Sequence, residues 1–137
     1  MNSKNQKLQL IKVEIKEEKQ LIPIDFKLAQ NLKHCKGIFF SVKEYLDIQS
    51  DTIPQVGELS LLFNAKAIHP LHFTVEYTKN LLHKKEFLAL DCDLEPNSNI
   101  TGYYLDYGKT KAIENQFLPY TLTIYLACSY HKPEITK

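Results

Sequence analysis

Residues 120–130 read YTLTIYLACSY, and their side chains alternate between two faces with a period of two. One face takes Tyr120, Leu122, Ile124, Leu126, Cys128 and Tyr130, and the other takes Thr121, Thr123, Tyr125, Ala127 and Ser129. Such alternation predicts a long strand with one buried face. Pro119 precedes it, at a position where the missing N–H costs least.

Seven further segments alternate in the same way or form short apolar runs. They are residues 7–16, 22–28, 34–43, 58–64, 71–77, 86–94 and 100–107. Pro23 should place its strand at a sheet edge or at a strand start, and Gly37 should mark a bulge. The short connection 64–70 predicts that the strands on either side of it form a hairpin or lie close together.

Residues 7–16 allow two interpretations. Leu8, Ile11 and Ile15 fit a helical stripe, but we favour a strand whose alternation slips in phase near Ile11. We also expect that residues 42–49 and 79–85 can each form a helical turn.

Eight short strands in 137 residues, separated by turn signals, predict an all-β fold. We expect a single-domain, eight-stranded β-sandwich of the jelly-roll type over residues 7–130, with polar tails at 1–6 and 131–137. An immunoglobulin-like sandwich is the alternative, but the chain has no tryptophan and lacks the Cys–Trp–Cys spacing.

Composition argues against several function classes. The net charge is +1 and no arginine occurs, so nucleic-acid binding is not expected. The 4 glycines are too few for a backbone phosphate cradle, and no nucleotide or hydrolase motif occurs. We expect no signal peptide, no membrane span, no cofactor and no small-molecule substrate.

The titratable residues give no convincing site, and we predict neither a catalytic residue nor a metal ligand. His69 and His72 would not share a clean face, and exposed histidines are expected. Asp91 and Asp93 lie on one side of their strand, as an exposed face would place them. The three cysteines are expected to be reduced and buried, although one disulfide with one free thiol is possible. Asp106 and Glu114 add nothing to these candidates.

Tyrosines crowd the last third of the chain. We rank an outer edge of the core as their first role, a protein interface second and sugar binding third. The possible interface residues are Tyr103, Tyr107 and Tyr125.

Several segments resemble small β-sandwich virion proteins of bacteriophages. They are LIPIDF (21–26), CKGIFF (35–40), GELSLLF (57–63) and YTLTIYL (120–126). The resemblance implies a self-assembling or lattice-bound shell component, such as a vertex, penton or accessory capsid protein. Its partners would be further copies of itself and other shell proteins. Its location would be the virion, assembled in the host cytoplasm.

Two alternatives remain open at this stage. A carbohydrate- or protein-binding module would use loops 46–57 and 108–118. A small cupin-like metal enzyme would need at least three histidine or carboxylate ligands that converge between the sheets; our expectation is that the protein is not an enzyme.

Overall fold

The computed structural model describes residues 6–43, 55–63, 70–76, 88–95, 99–108 and 119–131. These residues form eight β-strands and no helix. The strands are β1 (Gln6–Ile15), β2 (Leu21–Lys27), β3 (His34–Lys43), β4 (Gln55–Leu62), β5 (Leu71–Glu76), β6 (Leu88–Asp93), β7 (Asn99–Asp106) and β8 (Tyr120–Ser129).

The strands form two four-stranded antiparallel sheets that pack face to face. Sheet I has the order β1-β8-β3-β6, and sheet II has the order β2-β7-β4-β5. Strands β1 and β8, β2 and β7, β3 and β6, and β4 and β5 pair with one another, as in a long hairpin. Rolling this hairpin adds the pairs β3–β8 and β4–β7, which gives the jelly-roll order. The predicted fold class is confirmed.

Apolar side chains from both sheets fill the space between them. Every second residue of β8 is buried, and Leu122, Ile124 and Leu126 have no exposed surface. Ile15, Ile38, Leu61 and Ile100 are also fully buried. Burial of each such side chain contributes about 1.5–3 kcal/mol, so this interior is the main source of stability.

Three local predictions are confirmed. The strand with Pro23 lies at an edge of sheet II, where a proline is tolerated. The register of β3 shifts between Cys35 and Gly37, which is the predicted bulge. Strands β4 and β5 are antiparallel neighbours.

Residues 7–15 form a strand, as favoured over a helix, and the change of phase near Ile11 involves no break in its pairing. Strand β1 pairs with β8 in an unbroken register from Gln6 to Ile15. Ile11, Val13 and Ile15 face the core, whereas Leu8 and Leu10 are 48% and 41% exposed. The backbone is therefore regular, and what changes along the strand is the face that carries apolar residues.

Some predictions lie outside the described residues. The helical turn at 79–85 is one, and so is the turn at 42–49, apart from residues 42 and 43, which belong to β3. Most of the loops 46–57 and 108–118 and most of the two polar tails also lie there.

Candidate interaction surface

The outer face of sheet I carries two adjacent rows of apolar residues. Leu8, Ala127, Gly37 and Ala89 are register partners across all four strands. Leu10, Tyr125 and Phe39 form the next row across β1, β8 and β3. Register partners in antiparallel strands share a face, so these seven residues form one continuous surface, which we call the sheet I patch.

Tyr125 and Phe39 form the centre of the sheet I patch. Their ring centroids are 5.7 Å apart and their planes are tilted by 44°. Both rings are partly exposed, while Leu8 and Leu10 are open to solvent at the β1 edge. Aromatic rings fixed by a neighbour offer contact area at small entropy cost, as protein interfaces require.

The sheet I patch has polar borders. On one side the row Lys12, Thr123 and Ser41 follows, and on the other the row Gln6, Ser129 and His34. Ser41 is 1% exposed, and its hydroxyl has no hydrogen-bond partner among the described residues. The apolar area is therefore limited to two rows.

The outer face of sheet II differs, because neither of its two apolar rows extends beyond β2 and β7. Leu21 pairs with Leu105, and Pro23 pairs with Tyr103, but Glu58 and Ser60 follow on β4. His72 and Thr74 continue these rows on β5. Polar side chains thus interrupt both rows halfway across the sheet.

Tyr107 belongs to this polar half of sheet II. Partial burial, the nearby Glu58 carboxylate and a hydrogen bond to that carboxylate raise the pKa of Tyr107, and Thr74 also bonds to its hydroxyl. Asn99 donates a hydrogen bond of 2.8 Å to Asp25 near the other end of the sheet. In both places the polar side chains are therefore already hydrogen-bonded to other side chains of the sheet.

The structure does not bring the three predicted interface tyrosines together. Tyr125 is in the sheet I patch, whereas Tyr103 lies on β7 and Tyr107 directly follows it, with both side chains on the outer face of sheet II. A single surface cannot contain all three, because the sandwich lies between them.

A buried polar cluster was missed by the sequence reasoning. Asp106 is 1% exposed and accepts hydrogen bonds from the Tyr120 hydroxyl, the Lys19 N–H at 3.0 Å and the Gly108 N–H at 2.9 Å. The hydroxyls of Tyr120 and Tyr104 are 2.9 Å apart. Burial, the nearby Tyr104 and the bond to Asp106 raise the pKa of Tyr120 far above its usual range. This cluster fixes the chain where β2, β7 and β8 begin or end.

The expectation of exposed histidines is wrong for His34. It is 5% exposed, and its Nε2 lies 2.6 Å from Oδ1 of Asp91 on β6. His72 is exposed, as expected, and His69 lies outside the described residues. Within the described strands and turns, no three His, Cys, Asp or Glu side chains are arranged to hold a metal ion.

All three cysteines are free thiols, and they lie in one row across sheet I. Cys35 on β3 is the register partner of Cys92 on β6 and of Cys128 on β8. Cys35 and Cys128 are buried, and Cys92 is partly exposed. The wide spacing of the cysteines in sequence gave no sign of this row.

Comparison with known protein families, with curated proteins and with solved structures found no match. In the part of the chain that the structure describes, no helix has the length and apolarity needed to cross a membrane.

Proposed function

We propose that this protein is a structural assembly protein that works through protein–protein contacts, and specifically a shell component of a bacteriophage virion. Its contacts would be with further copies of itself and with neighbouring shell proteins. The observation that carries the proposal is the sheet I patch, which spans the outer face of a jelly-roll sheet. Viral shell proteins are one class that uses the jelly roll, and lectins and cupins are others.

The size of the sheet I patch favours repeated weak contacts over one stable dimer. Strands lie about 4.8 Å apart and alternate residues about 6.8 Å apart, so the seven positions of the sheet I patch cover about 230 Å². A stable pairwise interface needs about 800 Å² from each partner. A lattice in which each subunit makes several such contacts gains stability from their number.

The interior favours assembly over the cupin-like alternative. A cupin-like site would place ligands between the sheets, but the inward positions there carry residues such as Val13, Ile38, Leu59 and Leu122. The inward polar cluster around Asp106 is already occupied by bonds to the chain itself.

The test compares one substitution on the two outer faces. Leu10→Lys places a charge in the sheet I patch, and Leu21→Lys is the matched control on sheet II, where Leu21 is 60% exposed. Light scattering after size exclusion, across a concentration series, should show that the wild-type mass rises with concentration. Burial of an unpaired lysine should weaken this association by roughly tenfold or more in Leu10→Lys only.

Two outcomes would reject the proposal. One is a wild-type mass that stays at that of the monomer at every concentration. The other is an equal loss of self-association in both variants, which would show that the sheet I patch is not the contact surface. Electron microscopy of the concentrated wild-type protein adds a test of the shell role, since closed particles are expected and amorphous aggregates are not.

A further inference from the structure

The three cysteines form a straight path from the surface to the core of sheet I. Cys92 lies on the edge strand β6, Cys35 on β3 and Cys128 on β8, and the three are consecutive register partners. Register partners point to the same face, so all three side chains point between the sheets. Only Cys92 is open to solvent, because Cys35 and Cys128 are 0% and 1% exposed.

Cys35 and Cys128 are already in contact. The Cys128 thiol donates a hydrogen bond to the Cys35 sulfur, and this bond lowers the pKa of Cys35. The same contact, with burial, raises the pKa of Cys128. Burial and the nearby Cys35 raise the pKa of Cys92. Of the three thiols, Cys35 is therefore the one that loses its proton most readily.

We infer that this row is a site of thiol–disulfide exchange, in which Cys92 accepts oxidation from a small disulfide and passes it to a final Cys35–Cys128 disulfide. The spacing suits the chemistry. Register partners in antiparallel strands have Cα atoms about 4.5–5.5 Å apart, and disulfides span about 4.4–6.8 Å. On this spacing, either neighbouring pair lies within the Cα range of a disulfide.

The exchange takes three balanced steps. The Cys92 thiolate attacks a small disulfide RS–SR, which forms Cys92–S–SR and releases RS⁻, protonated to RSH. The Cys35 thiolate then attacks the Cys92 sulfur, which forms Cys35–Cys92 and releases a second RSH. Finally the Cys128 thiolate attacks the Cys35 sulfur and releases Cys92, protonated to its thiol. Overall one dithiol is oxidised and one RS–SR is reduced to two RSH.

The row also supports the last step. A thiolate attacks a disulfide from the side opposite to the leaving sulfur, and Cys128 lies on the side of Cys35 opposite to Cys92. The product joins β3 to β8, the pair that rolls the hairpin into a sandwich. A bond that closes so long a loop should raise the Tm by roughly 5–15 °C.

The test incubates the native protein with oxidised glutathione and follows the thiols by mass spectrometry after alkylation and digestion. We expect loss of two thiols, a crosslink between the peptides that hold Cys35 and Cys128, and the Tm increase. Cys92→Ser, a change at the partly exposed residue, should slow the crosslink at least tenfold but leave the same product. Cys128→Ser should stop at Cys35–Cys92.

Four results would overturn the inference. The native protein could keep three thiols until it unfolds, it could stop at a glutathione adduct on Cys92, or it could end as Cys35–Cys92. An unchanged rate in Cys92→Ser would likewise remove Cys92 from the path. Circular dichroism of each reduced variant verifies that it is folded before the reaction.

Discussion

Two tyrosine–carboxylate pairs lie on opposite faces of sheet II. Asp106 faces the core and bonds to Tyr120, whereas its chain neighbour Tyr107 faces out and bonds to Glu58. The chemical groups are the same, but Asp106 and Tyr120 are each 1% exposed, and Glu58 and Tyr107 are partly open to water. Burial therefore decides how much such a pair contributes to the free energy of unfolding.

The two pairs differ because water can replace a lost hydrogen-bond partner at the surface but not in the core. Water can replace a missing partner of Tyr107 or Glu58, so little free energy is at stake. Asp106 and Tyr120 are closed to solvent, so each donor left unpaired beside them costs about 1–3 kcal/mol. The inner pair, Asp106 and Tyr120, should therefore stabilise the fold. The outer pair, Glu58 and Tyr107, should mainly affect the pKa of Tyr107.

The largest effect is expected from Asp106→Ala. This change leaves the Tyr120 hydroxyl and the N–H groups of Lys19 and Gly108 without that acceptor. We expect the free energy of unfolding to fall by about 3 kcal/mol or more, measured by urea titration. Glu58→Ala is the matched outer control and should change it by about 0.5 kcal/mol at most. Equal losses in the two variants would refute the comparison.

Gly57→Ala should disturb the inner pair through Tyr104, which bonds to Tyr120. A methyl group at this position would lie 2.3 Å from Oη of Tyr104 and 2.6 Å from the Leu105 carbonyl oxygen. The Tyr104 side chain and the Leu105 backbone must then both move, which weakens the bond from Tyr104 to Tyr120. We expect a loss of about 2 kcal/mol in the same titration. A stability equal to wild type would mean that Tyr104 is not held at this distance.

Tyr120→Phe should cost about 1–2 kcal/mol near neutral pH, and it should change the response to alkali. The pKa of Tyr120 is raised in the folded state, whereas in the unfolded chain it is about 10. Above this pH the unfolded chain loses the proton and the folded protein keeps it, so wild-type stability falls as pH rises. The variant lacks this contribution, so its stability should fall less steeply between pH 9 and 11 (by up to about 1.4 kcal/mol per pH unit). Parallel curves from urea titrations would contradict this account.

The smallest effect is expected from Glu58→Gln on the outer pair. Loss of the carboxylate charge should move the pKa of Tyr107 down toward its usual value, although partial burial still raises it. Stability at neutral pH should change by about 0.5 kcal/mol at most. A pH titration of the Tyr107 ring by NMR measures the first effect, and an unmoved pKa would show that burial alone sets it.

Much of the fold was predictable because alternation reports which face of a strand is buried. The alternation in residues 120–130 predicted β8 and its inward residues correctly, and Pro23 predicted that its strand lies at a sheet edge. Strand order was not predictable, because alternation says nothing about which strands pair. The change of phase at Ile11 was visible in the sequence, but the sequence could not tell a backbone irregularity from apolar residues that face outward, as Leu8 and Leu10 do.

The candidate surface was only partly predictable. Tyr125 stood out as an aromatic residue on a polar face, but its neighbours Leu10 and Phe39 come from other strands, and pairing alone unites them. The reversed alternation at Leu8 and Leu10 was the usable sign that β1 has apolar residues on its outer face. Asp106 was overlooked because an isolated aspartate near a turn looks the same whether it is exposed or buried.

Hydroxyl-radical footprinting at low and high protein concentration tests the proposed assembly surface most directly, because it reports side-chain exposure on both outer faces at once. Leu10 and Tyr125 represent the sheet I patch, and Leu21 and Tyr103 are matched residues on sheet II. We predict that oxidation of Leu10 and Tyr125 falls as concentration rises, because copies cover them, while oxidation of Leu21 and Tyr103 stays constant. Unchanged oxidation of Leu10 and Tyr125, or protection of Leu21 and Tyr103 in their place, would contradict the account.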